Sequence, residues 1–339
     1  MLGRRKNRVN VTRNDEDMMD EIKETIPESW VKIYETNVNI TWKEDLASFF
    51  KSWDHDVNKV YTSDIPQICK EQPCQLGIDE AGRGPTLGPM VYGIAYIPLS
   101  EKYLPVDLGC ADSKVLTEEQ REKIFNKICQ HRKKIGWAVE VISPNIIANS
   151  MYRRVKFSLN DISMKSAVEL TQLAIKRGVN VAELYVDTVG RPEAYQAKLK
   201  KLFPNLKVIV AKKADSIYPI VSAASICAKV LRDNSLKNWQ FREGTISSMY
   251  GSGYPNDPDT KRWLFDNVDD IFGFPRIVRF SWSPAERILQ SYALSIEWEE
   301  VEQEENRGEQ KISKFFTGSP QKKRHQFFIN RCLSSTSTF

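Results

Sequence analysis

QLGIDEAGRGPTLGPMVYGIAYI, residues 75–97, is the stretch on which the fold turns. Residues 75–78 and 91–97 are apolar runs of strand length, and the turn AGRGPTLGP between them carries glycines and prolines that no helix tolerates in its interior. Two buried strands in quick succession predict an antiparallel pair, and residues 137–142 add a third strand. Beyond them the period changes. Residues 143–178 place Val168, Leu170, Leu173, Ala174 and Ile175 at helical spacing and end on Gly178, a suitable left-handed C-cap. Short apolar runs at 184–186 and 208–211 flank a helical segment at 192–202. A further helix over 218–236 carries the small residues Ser222, Ala223, Ala224, Ser225 and Ala228, which let its backbone lie close on a sheet. The fold class is therefore α/β: an antiparallel meander that continues into parallel strands, with helices on the faces.

Asp79 and Glu80 follow directly on Leu76-Gly77-Ile78, so two acids stand at the open end of a buried strand, where open sheets keep their sites. Asp187 repeats the pattern after 184–186, and Asp215 follows 208–211. Singly, each reads as a cap or turn residue; as a set they converge on one end of one sheet. At ~5 Å and an effective dielectric of ~20, each ionised pair repels by roughly 3 kcal/mol, which a divalent cation relieves. All available ligands are oxygens, so Mg²⁺, or Mn²⁺ in its place, suits them better than zinc. A two-metal carboxylate site points to phosphodiester hydrolysis. The glycines of the turn lack the spacing of a nucleotide-binding loop, but they let backbone groups approach a ligand closely. A sugar 2′-hydroxyl, both donor and acceptor, is one such ligand.

Composition narrows the field further. The 339 residues are 41% hydrophobic and 27% charged, which excludes wholesale disorder, and the net charge of +5 is too small to argue for a polyanion by itself. There is no apolar stretch of membrane-spanning length, and the opening lacks a secretory signal core, so a soluble, non-secreted chain is expected. Six scattered cysteines read as reduced thiols. Three histidines, none near another, support neither a zinc site nor a Ser-His-Asp triad. Catalysis, if present, runs on carboxylates.

The motifs GIDEAGRG (77–84), ADSK (111–114), YVDTVG (185–190), KADS (213–216) with SAAS (222–225), and GSGYP (251–255) closely resemble the ribonuclease HII family in its eukaryotic form, the catalytic subunit of type 2 ribonuclease H. The resemblance runs in one motif order from about residue 69 to the C-terminus. It implies a ribonuclease H-like fold with a mixed five-stranded sheet and a helical C-terminal extension. It makes Asp79, Glu80, Asp187 and Asp215 the metal-binding catalytic acids. Gly82, Arg83 and Gly84 become the ribonucleotide-sensing loop, Tyr254 the residue packed on the following sugar, and Lys114 a phosphate contact; Asp112 reads as a cap. The implied reaction is hydrolysis of the RNA strand of RNA–DNA hybrids and incision 5′ of single ribonucleotides in duplex DNA, in a nuclear heterotrimer active in ribonucleotide removal. The alternative is a catalytically silent, nucleic-acid-binding scaffold of the same fold.

The ends differ from the middle. Residues 1–68 read as a partly disordered N-terminal extension opened by Arg4, Arg5, Lys6, Arg8 and Arg13. Residues 69–240 form the expected catalytic domain and 241–300 the helical extension that carries Tyr254. In the charged tail, 301–339, EQKISKFF (309–316) places Ile312, Phe315 and Phe316 at the spacing of a sliding-clamp peptide, although Gln310 stands one place late. KKRHQFFINRCL (322–333) resembles the family's docking segment for two accessory subunits, with Phe327, Phe328 and Ile329 as the apolar contacts.

Overall fold

Each of the five expected strands is present in the computed structural model, which describes residues 35–37, 43–110, 116–153, 157–188 and 190–294. They belong to one seven-stranded sheet. Its members are β1 (Glu35–Asn37), β2 (Lys59–Thr62), β3 (Cys74–Ala81), β4 (Met90–Pro98), β5 (Gly136–Ile142), β6 (Val181–Asp187) and β7 (Lys207–Ala211), in the order β1-β2-β5-β4-β3-β6-β7. β3, β4 and β5 make the antiparallel meander, with Asp79 opposite Gly93 and Val91 opposite Val141. β6 and β7 run parallel to β3, with Ile78 opposite Val186 and Val186 opposite Val210. The expected count of five is corrected by β2, which pairs antiparallel with β5, and by β1 beside it.

The main helices are α1 (Lys43–Lys51), α2 (Glu118–Gln130), α3 (Pro144–Met151), α4 (Leu159–Lys176), α5 (Pro192–Leu202), α6 (Ala214–Ile217), α7 (Pro219–Lys237), α8 (Pro258–Asp266) and α9 (Ser283–Tyr292). The single helix expected over 143–178 is two. Ser158 starts α4 with a reciprocal cap: its side chain accepts from the Asp161 amide, and the Asp161 carboxylate accepts from the Ser158 amide. Apolar Phe157 carries the hydrophobic pattern across the break.

Two apolar layers enclose the sheet. On one face α7 lies directly over β3 and β4: a Cβ on Gly77 would meet the Ile220 carbonyl oxygen at 2.5 Å, and one on Gly93 the Ala224 oxygen at 2.7 Å. The small residues of α7 are the other half of that contact, and α2 packs against the same layer through Phe125 and Ile128. On the opposite face, Leu76, Ile78, Tyr92 and Val186 pack with Ile162 and Leu170 of α4 and Leu199 of α5. Leu46 and Phe50 of α1, with Trp53 and Tyr61, are buried in the α7 layer. These four side chains, in the stretch expected to form an N-terminal extension, are thus part of the packed interior. The described residues between 35 and 294 form one compact unit.

Candidate active site

The carboxylates meet where β3 and β6 end. Asp79 is two residues beyond Gly77 and so shares the face that α7 covers, where it is 5% exposed and hydrogen-bonded with Ser225 of α7. The register of Ile78 with Val186 sets Asp187 level with Asp79 on the neighbouring strand, a spacing of ~4.8 Å between backbones. Glu80 follows on β3, and its amide donates to Asp79 Oδ1 at 2.7 Å. Asp187 Oδ1 accepts from the Ala214 amide at 2.8 Å, tying the end of β6 to the first turn of α6, and the next residue of that turn is buried Asp215. Lys213, immediately before it, has a left-handed backbone (φ 55°), a strained geometry for a residue with a Cβ that turns the chain from β7 into α6.

The electrostatics follow from this crowding. Burial first, then the charges of Glu80 and Asp187, push the Asp79 carboxyl well above the ordinary carboxylate range. A set of carboxylates driven together against their own repulsion, with no nitrogen or sulfur donor among them, suits a hard divalent cation. Among the described residues, no group of three or more acidic, histidine or cysteine side chains is placed so that it could hold a metal ion. Asp79 feels the charges of both Glu80 and Asp187.

The glycine-rich turn is anchored by residues that sequence reasoning missed. Arg279 is fully buried and donates to three carbonyl oxygens of the turn: Gly82 at 2.6 Å, Arg83 at 3.0 Å and Gly88 at 2.9 Å. Burial first, and the nearby charge of Arg232 second, hold its pKa well below the guanidinium norm, so the three carbonyls offset an expensive buried cation. Trp282 Nε1 donates to the Gly84 carbonyl at 3.1 Å and lies under the Arg279 guanidinium. Gly82 must be glycine: its φ is +75°, and a Cβ there would stand 2.1 Å from Arg232 Nε. These bonds occupy carbonyl oxygens. Among the described residues the Arg83 and Gly84 amides have no backbone acceptor. The sequence signal for Arg279 was a lone cation in the apolar run 277–280.

Tyr254 is half-exposed beside this turn, its ring 3.4 Å from where a Gly84 Cβ would lie, and the Gly253 carbonyl accepts from the Thr86 amide. The Arg83 side chain leaves the turn toward the other face of the sheet, where it donates to Ser163 Oγ and Asn160 Oδ1 of α4. Asp112 and Lys114, and Ile312, Phe315, Phe316, Phe327, Phe328 and Ile329, lie outside the described residues.

Three strand-end acids, a pinned glycine turn and a tyrosine beside it occupy a region that comparison with known proteins can place. A family model for Ribonuclease HII matches residues 76–285. The chain belongs to the ribonuclease HII family. The match takes in all four acids, the turn, Tyr254 and Arg279. A ribonuclease H2 subunit from Bos taurus is 50% identical over 281 residues, covering 81% of this chain and 94% of that protein. Its Homo sapiens counterpart is 49% identical over 283 residues, covering 82% and 94%. The crystal structure of ribonuclease H2 from Pyrococcus horikoshii OT3 is 34% identical with a TM-score of 0.55, over 65% of this chain and 98% of that one. Bst-RNase HIII, solved in complex with Mn²⁺, shares the fold at 17% identity and a TM-score of 0.50, over 68% and 74%. Membership of the ribonuclease HII family makes the chain a ribonuclease H, and the mixed α/β architecture is the one the family resemblance implied.

Proposed function

We propose that this ribonuclease HII enzyme is the catalytic subunit of a heterotrimer that hydrolyses the RNA strand of RNA–DNA hybrids and incises duplex DNA 5′ of a single ribonucleotide. The observation that carries the reading is the coupling of buried Asp79 to Glu80 and Asp187 within reach of a turn fastened by its carbonyls. Asp79, Glu80, Asp187 and Asp215 would hold two divalent ions, Mg²⁺ or Mn²⁺. Bound there, the ions supply Lewis-acid activation of the attacking water and charge neutralisation at the leaving oxygen.

The chain's own residues do the rest. The Asp187–Ala214 hydrogen bond keeps the acids of β6 and α6 in one place as the substrate arrives. The turn at 82–84, rigid because Arg279 and Trp282 hold its oxygens, offers backbone groups to the 2′-hydroxyl, and Tyr254 packs on the sugar that follows. Because the 2′-hydroxyl is a recognition handle and not the nucleophile, no histidine is needed. Lys114 contacts a phosphate. In the tail, Phe327, Phe328 and Ile329 dock on two accessory subunits, Ile312, Phe315 and Phe316 on the sliding clamp, and the enzyme works in the nucleus.

The test is cleavage of a duplex containing one ribonucleotide, beside an all-DNA control, by the assembled enzyme in Mg²⁺ and then in EDTA. Incision 5′ of the ribonucleotide alone, abolished by EDTA, is expected; no incision, or equal cutting of both duplexes, overturns the proposal.

A further inference from the structure

A pocket of about 190 Å³ opens between α4 and α5 on the face of the sheet opposite α7. Glu80 and Asp187 line it together with Arg83, Arg191, Lys198 and the buried ring of Tyr92. The three cations make no ion pair among the described residues. Arg83 donates to the neutral oxygens of Ser163 and Asn160, which orient its guanidinium in the pocket without taking up its charge. Three cations against two carboxylates leave the pocket net positive even with both acids ionised. At this size it takes one phosphodiester and its sugar, well below the ~300 Å³ at which drug-sized ligand sites begin.

Position assigns the ligand. The pinned turn packs on α7 at Arg232 with Tyr254 beside it, this pocket lies on the α4 side, and the strand-end carboxylates stand between, Asp79 against Ser225 of α7 and Glu80 and Asp187 against the pocket. A strand crossing the acids with its ribonucleotide on the Tyr254 side must carry its 5′ neighbours toward α4 and α5. We propose that the α4/α5 pocket is a phosphate subsite for the substrate strand on the 5′ side of the scissile linkage, with Arg191 and Lys198 as its phosphate contacts and Arg83 as the fixed charge behind them. This subsite rests on the function proposed above and adds to it a grip on the upstream strand.

The experiment measures binding of the full chain in EDTA, so that no turnover enters, to a duplex with one ribonucleotide. A second duplex has the phosphates just 5′ of the scissile linkage replaced by neutral methylphosphonates, and a third has them replaced on the 3′ side. Wild type should lose roughly tenfold in affinity on the 5′-neutral duplex. Arg191→Ala/Lys198→Ala should lose the same factor on the natural duplex and nothing more on the 5′-neutral one. Its salt dependence should be shallower by about two in log–log slope, since each phosphate contact contributes ~0.9. Arg132→Ala/Lys133→Ala, two exposed cations in the turn before β5, controls for net charge and should bind as wild type. If Arg191→Ala/Lys198→Ala melts below wild type, Arg191→Gln/Lys198→Gln replaces it. Unchanged affinity in the folded variant, equal losses on every duplex, or coupling to the 3′ phosphates overturns the proposal. Wild type that binds with the expected coupling yet never incises in Mg²⁺ contradicts the proposed function and leaves the subsite standing.

Discussion

Replacing Arg279 by methionine keeps the bulk of the side chain and removes every donor. Three carbonyl oxygens then lose their partner. Gly88 is buried, so its oxygen bears most of the cost of an unmet acceptor, about 2 kcal/mol; Gly82 and Arg83 are partly exposed, and water reaches their oxygens at about 0.5–1 kcal/mol each. Removing a buried cation beside Arg232 returns part of this. The net is about 2–3 kcal/mol, enough to change the population of the pinned turn by roughly 30- to 150-fold. The loss should fall on the turn more than on the sheet. Amide hydrogen exchange at 82–88 should accelerate while β3 and β6 stay protected, and kcat/KM for a single-ribonucleotide duplex should fall by at least tenfold. Arg279→Lys, which keeps the charge and loses the fork, should fall between wild type and Arg279→Met. Wild-type exchange and kinetics in Arg279→Met would refute the claim that this guanidinium holds the turn.

Asp79→Asn should lower the single-turnover rate by at least about 10²-fold and raise the melting temperature of the metal-free protein, because a crowded buried acid becomes neutral; a normal rate, or a lower melting temperature, counts against the site. Gly77→Ala drives a Cβ into the backbone of α7 and should cost about 2–3 kcal/mol in urea unfolding, and a cost below about 0.5 kcal/mol would show that the helix does not sit where described. His55 is stacked on Trp239 at 3.8 Å, and burial first, then Arg242, lowers its pKa to about 4. The unfolded chain therefore takes up a proton near pH 6.5 that the folded one refuses. This part of the stability is complete above pH 6.5 and is lost, to a total of roughly 2–3 kcal/mol, as pH falls toward 4. His55→Phe should flatten that stretch of the urea-midpoint profile, and an unchanged slope would exclude His55 as its source.

What was legible followed from local pattern. Apolar runs at 75–78, 91–97, 137–142, 184–186 and 208–211 each became a strand because nothing but a sheet interior suits them, and an acid at the end of such a run has only the strand mouth to occupy. β2 was missed because its four residues, Lys59–Thr62, give no period, and α1 because its apolar side is covered only once α7 is in place. The anchors of the site were out of reach for a related reason. Arg279 meets the turn from 191 to 197 residues away, and Arg83 meets Asn160 and Ser163 from 77 and 80. Such contacts exist only in the folded chain, and Arg279 left no more than an odd cation in an apolar run.

The proposed reaction requires acids from three separate segments to hold two divalent ions beside the scissile phosphate. The direct measurement is a calorimetric titration of Mn²⁺ into the protein bound to a ribonucleotide-containing duplex with a non-hydrolysable scissile linkage. Two ions per chain for wild type, and fewer in folded Asp187→Asn, is the predicted result. One ion or none in wild type, or an unchanged count in the variant, would contradict it.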